Sequence, residues 1–189
     1  MLAHGPRQVS SQLKSTLYGL EIVVLIRGTK KCLSELGVSE EQLAEEDGSA
    51  SACAEWYGNL IRFERRKCLV FTDVETLFTF FVPGVTKKNY RDFRGLFLGS
   101  LQSALAVYNL DVPDYVMDDD IRFGRTRDRR VLGSMNDLIF MLTHCLAFNG
   151  GLSGISVADV VRQVNETPMQ LIKDSPDRAI RSSLGQPYN

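Results

Sequence analysis

Between Trp56 and Gly84 the chain carries three apolar runs in close succession: WYGNLIRF (Trp56 to Phe63), CLVFTD (Cys68 to Asp73) and LFTFFVPG (Leu77 to Gly84). The spacers between them are too short for anything but a reversal, because parallel neighbours need a crossover of about a dozen residues or more. Hairpins, and so an antiparallel meander, are the expectation. CLVF and LFTFFV are apolar at both strand parities, which places them centrally with both faces covered. A sheet of this kind requires helices to cover it.

The flanking segments supply them. EIVVLIR (Glu21 to Arg27) is β-branched and reads as a first strand. Thr29 to Leu36 suits a short helix stopped by Gly37, and Ser39 to Glu46 repeats the pattern with Ser39 and Gln42 at capping-box spacing. Glu45 to Ala52 reads as a loop. From Asn89 to Leu110 a long helix is expected, since Phe93, Leu96, Phe97, Leu101, Ala104 and Tyr108 recur at spacings of three and four. IRFGRT (Ile121 to Thr126) reads as a strand. A second long helix is expected over Met135 to Phe148, capped by Ser134 and stopped by Asn149-Gly150-Gly151, and a last helix over Ser156 to Val164. The resulting expectation is an α+β fold, an antiparallel sheet of about five strands with two long helices and shorter helices packed on it. Residues 1–20 read as a flexible extension, 21–170 as a single domain and 171–189 as a polar tail.

Composition narrows the function classes. An apolar share of 44% and a charged share of 24% over 189 residues suit one domain with a real core. A formal net charge of -1 argues against coating nucleic acid by bulk attraction, so any basic function must come from clustering. Cys32, Cys53, Cys68 and Cys145 lie in or near apolar runs without C-x-x-C spacing, which reads as reduced, buried thiols. No run of about 18 apolar residues suggests a membrane span. A cytoplasmic protein is the expectation.

The densest chemistry lies in IRFGRTRDRRVLGSMND (Ile121 to Asp137). On an alternating strand, Ile121, Phe123 and Arg125 share one side, and Arg122 shares the other with Gly124 and Thr126. Arg127, Arg129 and Arg130 then fall beside a helix start, where unpaired backbone N–H groups and guanidinium groups together suit an anion. Arg62, Arg65, Arg66 and Lys67 form a second basic group at a hairpin turn. It would join the first if the strand bearing Arg62 lay beside the strand bearing Arg122, with Trp56 or Tyr57 available for stacking. The candidate ligand contacts are therefore Arg62, Arg122, Arg125, Arg129 and Arg130, with Ser134 and Asn136 shaping the helix end. A plainer account of the same residues is ion pairing with Asp118 to Asp120, Asp128 or Glu64, which needs no ligand.

Other chemistries find little support. Ser134 lacks a G-x-S-x-G context, and His4 and His144 are the only histidines, so a Ser–His–Asp site is disfavoured. No spacing suits a metal, and Gly124 and Gly133 stand alone where a phosphate loop would need a cluster. Neither metal nor cofactor is expected.

WYGNLIRFERRKCLVF and RFGRTRDRRVLGSMNDLIF resemble a family of small bacterial proteins, domain of unknown function 6933. LIRGTKK (Leu25 to Lys31) and VNETPM (Val164 to Met169) are similar too. The resemblance spans about Val24 to Met169 and leaves Met1 to Val23 as an addition. It implies domain limits and a bacterial origin, and no activity. The leading functional expectation is a binding module for a phosphate-bearing partner: a nucleotide, RNA or DNA. The alternatives are a protein–protein or regulatory partner of antitoxin-like kind, supported by the acidic Glu40 to Asp47 against a basic remainder, and a metal-independent enzyme on phosphate esters.

Overall fold

Five strands build one sheet in the order β4-β3-β2-β1-β5. They are β1 (Val23–Gly28), β2 (Cys53–Phe63), β3 (Arg66–Asp73), β4 (Thr79–Val82) and β5 (Ile121–Arg125). The computed structural model describes residues 23–44, 53–112 and 121–186. The expected extension 1–20, the loop Glu45 to Ala52 and the acidic run Asp118 to Asp120 lie outside them.

The meander is antiparallel as its short spacers require: β2 pairs with β3 from Trp56↔Asp73 to Phe63↔Arg66, and β3 with β4 from Leu69↔Val82 to Thr72↔Thr79. Its first reversal takes only Glu64 and Arg65, both at positive φ, the backbone of a tight two-residue hairpin turn. The sheet as a whole is mixed, a correction to the antiparallel expectation, because β1 runs parallel to both β2 and β5. The chain between β1 and β2 is long and contains a helix, as a parallel crossover requires.

The described helices are α1 (Lys30–Leu36), α2 (Phe93–Ala106), α3 (Arg129–Phe148), α4 (Val157–Asn165) and α5 (Pro176–Ser183). Thr29 caps α1, Gly37 at φ 75° ends it, and Ser156 caps α4. Between α1 and β2, Ser39 and Gln42 form the expected capping box over a single 3-10 turn, Glu40–Gln42. The stretch expected as one helix from Asn89 divides into a 3-10 turn, Asn89–Asp92, and α2, because the Asp92 carboxylate accepts the Gly95 N–H at 2.9 Å and starts the α-helix there.

Two further expectations are corrected. The second long helix begins at Arg129, with Asp128 as its cap; Ser134 lies inside it. Val131 extends the apolar stripe Met135, Leu138, Leu142 and Leu146 by one turn, and burying it rewards the earlier start. Within the expected polar tail, α5 packs on the core through Ile180, which is 7% exposed. By length and composition α3 could cross a membrane, yet that same stripe is buried against the sheet.

Two apolar clusters sandwich the sheet. On one face α1, α2 and α5 cover Val24, Ile26, Trp56, Leu69, Phe71 and Phe80. Aromatic rings dominate there: Phe71 and Phe97 meet edge to face at 5.0 Å, and Trp56 meets Phe80 at 5.4 Å. On the other face α3 and α4 cover Tyr57, Val70, Leu77 and Phe81. Cys32 and Cys68 are buried free thiols and Cys145 is half-buried. Burial pushes the Cys32 thiol up to about 12, an unreactive group at neutral pH.

Candidate functional site

Polar chemistry concentrates where β1 and β5 end. In register, Gly28 of β1 faces Arg125 of β5. From this shared rim the two strands send their helices to opposite sides of the sheet: α1 packs in the cluster around Ile26, and α3 in the cluster around Tyr57. Lys30 opens α1, while Thr126, Arg127 and Asp128 form the link into α3.

Two anchors fix that link. Tyr57 is fully buried, and its hydroxyl oxygen accepts the backbone N–H of Arg127 at 3.0 Å and of Asp128 at 2.7 Å. The Asp128 carboxylate accepts the Arg130 N–H at 2.8 Å, so the start of α3 is capped from within. The Arg130 guanidinium also bonds this carboxylate and holds it below the usual aspartate range.

Beneath the link lies a residue that the sequence reading passed over. Arg27, 6% exposed, donates from Nε to Glu55 Oε1 at 2.5 Å and from Nη1 to the Arg125 carbonyl at 3.1 Å. The other oxygen of Glu55 accepts from Arg127 Nη2 at 2.9 Å. One carboxylate thus joins β1, β2 and the α3 link. A Cβ on Gly124 would lie 3.1 Å from Arg27 Nη1, so the bare backbone of Gly124 makes room for this guanidinium. The sequence signal was thin: an arginine closing an apolar strand, whose partner appears only once the register is known.

The seven candidates separate. Arg125, Arg129 and Arg130 lie together at the β5–α3 link, with Arg127 among them. Arg125 is exposed and ion-paired with Glu40. Arg129 is exposed and makes no ion pair among the described residues. Arg122 sits three residues back along β5, opposite Leu25 and therefore one strand away from Glu55. Ser134 and Asn136 lie one to two turns inside α3, about 7 Å or more along the axis from its first residue, so they do not shape its end.

Arg62 is remote from the others. Strand β1 separates β2 from β5, and Arg62 lies seven positions beyond Glu55, about 23 Å along the strand. It pairs across the hairpin with Lys67, whose ammonium bonds Glu35 at 2.6 and 2.7 Å. The Lys67 hydrogen bond, with Arg62 a lesser contributor, holds the Glu35 carboxyl below its usual range. The single joined patch of the sequence expectation is therefore two patches. Trp56 and Tyr57 are buried, so neither ring offers a face for stacking.

Among the described residues no group of His, Cys, Asp or Glu is placed to hold a metal ion. No curated protein matches the chain at a significant level. One family does, over residues 25–179, a span that covers every described strand from the second half of β1 onward and reaches into α5. With most of its length accounted for in this way, the chain belongs to the family described as Domain of unknown function (DUF6933).

Proposed function

We propose that the protein is an anion-binding module that takes a phosphate group at the carboxyl ends of β1 and β5. The observation that carries this reading is the divergence of α1 and α3 from adjacent parallel strands to opposite faces. In open sheets, ligands sit in the crevice that such a divergence leaves outside the strand ends. Lys30, Arg125, Arg127, Arg129 and Arg130 lie along this rim, against Glu40, Glu55 and Asp128.

The acids do not close the site to an anion. The Arg125–Glu40 pair is exposed on both sides, and such pairs are worth about 1 kcal/mol or less. A phosphate can take Arg125 from Glu40 and gain bidentate contacts in exchange. Glu55 plays another part: it is largely buried and holds Arg27 and Arg127 in place. Ser134, Asn136 and Arg62 have no place in this site.

Calorimetric titration with pyrophosphate at low ionic strength tests the proposal. The Arg125→Ala/Arg129→Ala variant should bind about tenfold more weakly, the scale of one lost charge-assisted bond. Its melting temperature should stay within about 2 °C of the parent, as for exposed substitutions. Absence of pyrophosphate binding, or equal binding by the variant, overturns the reading. A large fall in melting temperature instead assigns these arginines to structure.

A further inference from the structure

The edge of the sheet far from this rim is β4. Strand β4 has β3 on one side only. In this ladder Phe78, Phe80 and Val82 turn their main-chain groups toward β3; the Asp73 N–H, for example, donates to the Phe78 carbonyl at 2.9 Å. Thr79 and Phe81 therefore turn theirs outward. Thr79 is satisfied by a side chain: its N–H donates to Asn165 Oδ1 at 2.7 Å, and its carbonyl accepts from Asn165 Nδ2 at 2.7 Å. Asn165 is fully buried and occupies the position of a neighbouring strand's peptide group. At the other end Pro83 has no N–H to offer. Between them, the alternation of the ladder turns the N–H and C=O of Phe81 away from β3, and among the described residues no loop, cap or side chain bonds them.

That pair faces a groove of about 510 Å³ between α2 and α4. On one wall Gly95, Gly99 and Ser103 of α2 run beside Leu96, Ala104 and, just past the helix, Val107. Ala158 and Val161 of α4 line the other. A Cβ added to Gly99 meets nothing within 4 Å, so the space above that position is open, whereas a Cβ on Gly95 would strike the Asp92 carboxylate. The two helices thus leave a groove beside the stretch of β4 at which the Phe81 peptide groups turn outward.

We infer that this edge receives a short extended segment of a partner protein, which adds a strand beside β4. Paired main-chain donors and acceptors at a sheet edge select a strand, and pockets beside it select alternate side chains. The walls suit small or β-branched apolar residues at every second position. At the Pro83 end, the connection to α2 carries the exposed cations Lys87, Lys88 and Arg91, which favour an acidic residue at that end of the segment. Asn165 and Pro83 limit the register to one exchange of hydrogen bonds, centred on Phe81.

A displayed library of random octapeptides, selected against the full chain, tests this. The expected result is enrichment of alternating apolar sequences with an acidic terminus. In an N-methyl scan of an enriched peptide, one position should lose at least tenfold in affinity. Gly99→Trp, which fills the channel from an open helix position, should lose the peptide with its melting temperature unchanged. Peptide binding should also slow exchange of the Phe81 amide. The inference is overturned by no enrichment, by peptides indifferent to Gly99→Trp, or by indifference to N-methylation. Protection of the Phe81 amide in the free chain at low concentration would assign the groove to the chain's own residues. Protection that appears only at high concentration would assign it to a second copy. Either result removes the partner protein.

Discussion

The two sides of the sheet are held by different physics. Across β3 and β4, apolar residues cover both faces, and Phe71 alone meets Phe80, Phe93 and Phe97. Across β1 and its parallel neighbours β2 and β5, the face opposite the rings carries Arg27 and Glu55 beneath the link to α3. Rings pack against whatever ring is near, so the first region tolerates many arrangements of the same composition. Charges out of water need a partner at one place, so the second region specifies register: Arg27 finds Glu55 only when Leu25 lies opposite Glu55. A mixed sheet needs such a device most on its parallel side, where no tight turn fixes the register.

Three variants probe that contrast. Phe71→Ala should be the most damaging, costing about 4 kcal/mol by urea denaturation, as for other buried aromatics; a loss under about 1 kcal/mol would mean that the ring cluster closes over the gap. Glu55→Ala should follow, at about 3 kcal/mol, because it leaves Arg27 buried without its acid. The double variant Arg27→Met/Glu55→Leu sharpens the point: it should recover most of that loss while broadening the amide spectrum of β1 and β2. Full recovery with a uniform spectrum would remove the argument that the pair sets register.

The smallest effect should come from Asp128. Its carboxyl sits below the ordinary value of 3.8, chiefly through the Arg130 side-chain hydrogen bond. A depressed acid stabilises the fold above its unfolded pKa, and this contribution fades as pH falls through the folded value. The protection of the Arg130 and Val131 amides, taken relative to the unstructured exchange rate at the same pH, should therefore fall as pH drops below 3.8, and Asp128→Ala should show that low protection at every pH. Unchanged exchange would show that Tyr57 alone holds the helix start.

Local patterns made much of this fold readable. Alternation and spacing located all five strands, and the spacers of the meander gave its antiparallel pairing. The direction of β1 was missed although a clue existed, since the chain from Gly28 to Cys53 contains a whole helix. In the site, the arginines at 125, 129 and 130 do gather at one link, as their closeness in sequence implies. Arg27 and the Tyr57 hydroxyl could not be read, because their roles rest on residues 28 and 70 positions away. Ser134 misled for a local reason. Serine followed by Asp137 mimics a cap, while Asp128 offers the same chemistry nearly two turns earlier and gains burial of Val131.

Asn165 has a consequence for the life of the protein in a crowded solution. Its amide closes one rung of a sheet margin that would otherwise offer two in succession, at Thr79 and Phe81. Two rungs are a template on which identical chains can stack, margin to margin, toward a fibril. A single buried carboxamide thus keeps that margin from presenting a continuous template.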